Sequence, residues 1–160
     1  MTRPLAALIL VALWLGAALL TVAVVAPGAF AVLPTRALAG EMVGRVLPVV
    51  FAGAIIVPAA VLALVPAARR SGLAVGAGLA AAVAAGVALW VVNPRIAALR
   101  AAAVMPIDQL APSDPRRTMF GIWHGVSVAL LGLAMLAIVA LLVQLARAAA
   151  ARAPSSGEVR

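Results

Sequence analysis

Phe120–Leu145 reads FGIWHGVSVALLGLAMLAIVALLVQL, an unbroken stretch with no charged side chain. A helix crosses the hydrocarbon core of a bilayer with about 20 apolar residues. This run exceeds that need, so it is expected to tilt or to emerge from the membrane. The whole chain has the same character: of 160 residues, 67% are hydrophobic and 10% charged. Ordinary globular domains have roughly 45–50% and about 25%. The chain is not a soluble domain.

Three further runs lie upstream. Leu5–Ala26 ends at Pro27, Val46–Pro66 carries Pro58 in its interior, and Leu73–Val92 stops at Asn93-Pro94. The first is too long for a signal-peptide core, which spans about 7–15 residues, and reads as a retained helix. Pro58 predicts a kink. The expected fold is an all-α, four-span transmembrane helical bundle. It forms one domain over 1–147, with spans at about 5–26, 46–66, 73–92 and 120–145. Pro27–Arg45 then becomes a linker, Ala67–Gly72 a tight turn and Asn93–Met119 the longest loop. Within that loop Ile96–Val104 suits a short interfacial helix. Residues 148–160 have little to bury and are expected to be a disordered polar tail.

The net charge of +8 invites a nucleic-acid reading, which its placement opposes. Nucleic-acid binders gather basic residues on one face, with stacking aromatics. Here all twelve are arginine and all lie outside the apolar runs, where membrane proteins carry their topology signals. No nucleic-acid partner is expected; the partner is the lipid bilayer. Four spans put both ends of the chain on one side, and the arginines divide evenly between the two sides. The pair Arg69-Arg70 in the shortest loop decides for cytoplasmic ends, because the bias acts most strongly beside the spans. Arginine and alanine richness points to a GC-rich bacterial genome, hence to a bacterial inner membrane. Phe30, Phe51, Trp90, Phe120 and Trp123 gather near the opposite side, as an interfacial belt or the wall of a vestibule.

Groups that could carry chemistry are few. No Asp, Glu, Lys or Arg lies inside a span, which argues against a carboxylate-driven pump. The chain has no cysteine, so disulfides, thiolate metal sites and thiol nucleophiles are excluded. Its one histidine, His124, has no partner ligands for zinc or copper and no second histidine for haem. No cofactor or metal is expected, and Ser127, one turn on, has no acid beside it. The candidate cluster is Asn93, Arg95, Arg100, His124 and Ser127. Asn93 and Arg100 share a face if the helix resumes after Pro94. That segment is expected to pack over the start of span four, with His124 or Ser127 hydrogen-bonded to it.

Small residues repeat every four positions: Gly72, Gly76, Ala80, Ala84 and Ala88 in span three, Gly121, Gly125 and Ala129 in span four. Such stripes let helix backbones approach closely. They predict intramolecular contacts, with a homo-oligomer seam as the alternative. An internal echo, Val24-Val25-Ala26-Pro27 against Val91-Val92-Asn93-Pro94, hints at a two-plus-two repeat of the kind transporters use.

These motifs resemble the transmembrane-protein-205-like family of small four-span membrane proteins. The likeness covers Trp14-Leu15-Gly16, Val25-Ala26-Pro27, Leu33-Pro34, Ala39-Gly40 and Leu47-Pro48 with Phe51. It continues in Asn93-Pro94-Arg95-Ile96-Ala97-Ala98-Leu99-Arg100. It is most specific in Phe120-Gly121-Ile122-Trp123-His124-Gly125-Val126-Ser127, similar to an F-G-x-x-H-G-x-S opening of span four. Family members often place an Asn soon after that Ser, where this chain has Val128, Ala129, Leu130 and Leu131. The resemblance implies an integral membrane protein without an established enzymatic activity.

The expected function is that of a non-enzymatic integral membrane protein. The alternative is a small permease or export component working at the face of Asn93, Arg95, Arg100 and His124. A small oxygenase resembling four-span anthrone-oxygenase-like proteins lacks any metal or flavin motif here. A water-filled cavity reaching the Asn93–His124 face favours the permease; a dry, closed bundle opposes it.

Overall fold

Four helices carry the chain: α1 (Arg3–Val32), α2 (Arg36–Leu64), α3 (Gly72–Ala101) and α4 (Pro115–Ala150), each long and apolar enough to cross a membrane. The computed structural model describes residues 3–66 and 70–151. Arg69 and residues 152–160, most of the expected tail, lie outside them.

The helices overrun the expected spans at nearly every end. Pro27 and Pro94 do not stop α1 and α3. Proline lacks an N–H, and its ring collides with the carbonyl four residues back. Both helices avoid the collision by widening into π-helical turns, Thr21–Val25 and Ala88–Val92. Ala26 N–H donates to Thr21 O and Asn93 N–H to Ala88 O, each reaching five residues back. The two turns stand 67 positions apart, as do the two prolines, so the echo in the sequence is repeated in the backbone. Ile96–Ala101 is accordingly the end of α3 rather than a separate interfacial helix.

The expected linker Pro27–Arg45 is likewise mostly helix. Only Leu33, Pro34 and Thr35 separate α1 from α2, and the Thr35 hydroxyl accepts from Leu38 N at 3.2 Å to open α2. Asp114 does the same for α4, its carboxylate accepting from Arg116 N at 2.8 Å, with Pro115 in the first turn where a missing N–H costs nothing. α4 has 36 residues and, at 1.5 Å per residue, is about 54 Å long. It therefore stands well clear of a hydrocarbon core of about 30 Å. Residues 148–150, placed in the tail by the sequence, are its last turn.

α1 packs on α2 and α4, and α3 packs on the same two, closing an antiparallel ring. α1 buries Ala7, Val11, Trp14, Ala18 and Thr21; α4 buries Ser127, Leu131, Ala134, Ile138 and Leu141. Alternating steps of four and three are the seam of a left-handed bundle. α3 buries a broader face of small residues, including Ala77, Gly78, Ala81, Ala84, Ala85 and Ala88. Buried Pro58 rests against Gly78, where a Cβ would come to 3.2 Å of the proline. The strict four-residue stripes are only partly right. Ala84 and Ala88 are buried, but a Cβ on Gly72, Gly76, Gly121 or Gly125 would meet nothing within 4 Å. A four-residue step drifts round the helix, whereas the seam needs the alternation.

Candidate functional site

A cavity of about 1170 Å³ opens at the end of the bundle away from Arg3 and Arg147, bounded by the start of α2, the end of α3, the following loop and the start of α4. Asn93, Arg100, His124 and Ser127 all line it. Four of the five residues selected from the sequence thus meet on one wall.

Arg100 is the best anchored. Its guanidinium lies on α2 at Gly40 and Gly44, where a Cβ would come to 3.2 and 3.1 Å of its nitrogens, and Nη2 donates to Gly40 O at 3.4 Å. A larger residue at either position would push the guanidinium out of that seat by a few tenths of an ångström or more. Pro48, one turn on, has no N–H to offer Gly44 O. The Arg100 Cζ stands 5.3 Å from the centre of the Phe120 ring, a cation–π distance. His124 stacks on the same ring, with centroids 6.1 Å apart and planes 6° apart. His124 is exposed to the cavity, and Ser127, one turn deeper, is buried at 4% exposure.

Arg95 leaves the cluster. Its Cζ sits 4.5 Å from the centre of the Trp123 ring, and neither residue lines the cavity. The expected packing of Asn93–Arg100 over the start of α4 is therefore present but made differently. Among the described residues, no hydrogen bond joins His124 or Ser127 to that segment. Two arginine–aromatic contacts hold it instead, a solution that leaves His124 and Ser127 facing the cavity. The aromatics divide similarly. Phe30 and Phe120 line the cavity, Phe51 is fully buried, and Trp90 is 72% exposed on the lipid-facing side.

The loop over the cavity is tied at its base. Arg116 binds Asp114 through Nη2 at 2.7 Å and Nε at 3.1 Å, and donates to Ala102 O at 3.2 Å. The hydrogen bonds from Arg116 hold the Asp114 carboxyl below its ordinary pKa. Arg117, on the cavity wall, donates to Leu110 O at 2.8 Å. Glu41 also faces the cavity and pairs with Arg45 at 2.6 Å.

Sequence reasoning missed the Gly40–Gly44 seat. Its signal was present as two glycines four apart followed by Pro48, hidden because the segment read as a linker. It also missed Trp14, whose buried Nε1 donates to Val50 O at 2.9 Å across α1 and α2. The wall offers cations, amide and hydroxyl groups and an imidazole beside aromatic and aliphatic surface. Such a mixture orients a molecule having both a polar and an apolar part.

Residues 9–104 match the family described as a domain of unknown function, DUF4149. The chain belongs to this family. Comparison with curated proteins and with solved structures gives no match. The DUF4149 match takes in the Arg100 seat and both wide turns, and ends three residues beyond α3. Phe120, His124 and Ser127 lie beyond it, so the cavity is built jointly by the matched region and by α4.

Proposed function

We propose that this multi-pass membrane protein is a small permease or export component that admits an amphipathic molecule to the vestibule, binding and passing it without chemical change. The observation that supports this most is the cavity of about 1170 Å³ with Asn93, Arg100, His124 and Ser127 on its wall. Small-molecule sites commonly occupy about 300–1,000 Å³, so there is room for a ligand with water beside it. The likeness of Phe120–Ser127 to the transmembrane-protein-205-like family agrees with an integral membrane role and brings no enzymatic activity. In this reading no cofactor takes part, the protein resides in a bacterial inner membrane, and both ends are cytoplasmic. A second copy would pack on the open face of Gly121, Gly125 and Ala129.

The chain has no cysteine, which makes accessibility simple to read. His124→Cys is expected to react with a membrane-impermeant maleimide added from one side only, and Ser127→Cys, buried one turn deeper, to react much more slowly. Ala134→Cys, in the closed core, should stay unlabelled. Failure to label position 124 from either side would mean that the vestibule is not open to water, and would overturn the reading.

A further inference from the structure

The opposite end of the bundle holds a second cavity, of about 580 Å³. Its rim carries Arg3 of α1, Arg70 just before α3 and Arg147 of α4, and Val61 and Leu141 form part of an apolar floor. No Asp or Glu among the described residues lines it; Glu41 and Asp108 line the vestibule instead. Three cations from three parts of the chain therefore converge, with no countercharge on the cavity wall among the described residues.

Helix capping explains only part of this. Arg70 closes the end of α2, its Nε donating to Val65 O at 2.9 Å and its Nη2 to Leu62 O. Arg147 stands in the last turn of α4, where the helix dipole favours a cation. Arg3 is in the first turn of α1, where the dipole opposes one. The α3 N-terminus also opens onto this cavity, with Ser71 on its wall, adding to the positive field. Four sources of positive potential thus border one pocket, and its floor is hydrocarbon.

We propose that this cavity binds the phosphate of an anionic lipid headgroup, with the first methylenes of the acyl chains on the apolar floor. Guanidinium forks match phosphate oxygens in charge and geometry, and basic pockets between membrane helices hold such headgroups. Free phosphate shares the charge but makes no use of Val61 and Leu141.

The test follows the melting temperature of the detergent-solubilised full-length chain as phosphatidylglycerol, phosphatidylcholine or inorganic phosphate is titrated in. Phosphatidylglycerol is expected to give a saturable rise and phosphatidylcholine none. Arg3→Gln and Arg147→Gln should each raise the half-saturating phosphatidylglycerol concentration about fivefold. Arg147→Lys should recover most of that loss. Equal responses to the two lipids, or an unshifted midpoint in the double variant, overturn the proposal. A full rise with inorganic phosphate alone overturns the lipid assignment. If a variant melts early without lipid, native mass spectrometry replaces the melt, with Arg36→Gln at the vestibule end as control. Loss of bound phosphatidylglycerol in Arg3→Gln and Arg147→Gln but not Arg36→Gln supports the site; equal loss in all three overturns it.

Discussion

Thr21–Val25 in α1 and Ala88–Val92 in α3 make the same wide turn before the same proline, yet the chain beyond them differs. After Pro27, α1 carries Gly28, Ala29 and Phe30 and ends at Val32 without a charge. After Pro94, α3 carries Arg95 and Arg100, which clasp α4 through Trp123 and Phe120. The backbone solution is shared, but the first copy gives the vestibule one aromatic side chain, Phe30, and the second gives it a polar wall with Asn93 and Arg100. The two helix pairs also close differently. α1 packs along α2 and is pinned there by one buried indole, Trp14, hydrogen-bonded to Val50 O and laid over Gly53. α3 brings to α4 a continuous face of alanine and glycine. Lipid offers helices no hydrophobic reason to associate, so pairing rests on close approach or on polar contacts. One pair adds a hydrogen-bonded pin to its packing, and the other relies on a seam of small residues.

The pin is the easier to break. A Cβ on Gly53 would fall 2.5 Å from Trp14 Cδ1, and a stiff ring cannot yield without losing its hydrogen bond. Gly53→Ala is expected to cost about 1–3 kcal/mol, the usual range for overpacking, read as unfolding in detergent and denaturant. Wild-type stability in that variant would show that the indole does not pin the pair. Trp14→Phe removes the N–H together with part of the buried ring system, so its loss should exceed the roughly 0.6 kcal/mol average for interhelical hydrogen bonds in a membrane protein by the cost of the space left behind. An unchanged stability would mean that neither the bond nor the fit of the indole holds α1 to α2. Gly125 tests the other pair. Its side-chain position faces open space, so Gly125→Leu should change stability by no more than about 0.5 kcal/mol, against the intramolecular contact that the four-residue stripe predicts. A large loss would show that something covers this face, and cross-linking would show whether a second copy does.

The four-span fold was legible because length and apolar content alone determine it. Helix ends were not. Proline reads as a stop, and in water it commonly is one, but a π turn lets the chain run through Pro27 and Pro94. Which face is buried was also hidden. Lipid-facing positions such as Leu13 and Leu136 are as apolar as buried Val11 and Ile138, so hydrophobic periodicity carries little signal. At the candidate site, Asn93, Arg100, His124 and Ser127 stood out as rare polar groups near membrane depth, and they do meet. Arg95 was drawn in by proximity in sequence, although a residue two positions from Asn93 points elsewhere on a helix. The Gly40–Gly44 seat escaped because glycine shows its purpose only when the partner, sixty positions away, is known.

The wide turn in α3 also has a consequence for how such a chain can change. A ring closed five residues back holds one residue more than an ordinary helical turn. The extra residue is absorbed within that turn, so α3 beyond it keeps the facing that seats Arg95 and Arg100 on their aromatic partners. Rewinding the turn as regular helix with no residue removed would rotate everything beyond it by about 100°. Both arginines would then leave those partners while the helix itself stayed intact, so the winding of one turn sets whether the vestibule wall is assembled.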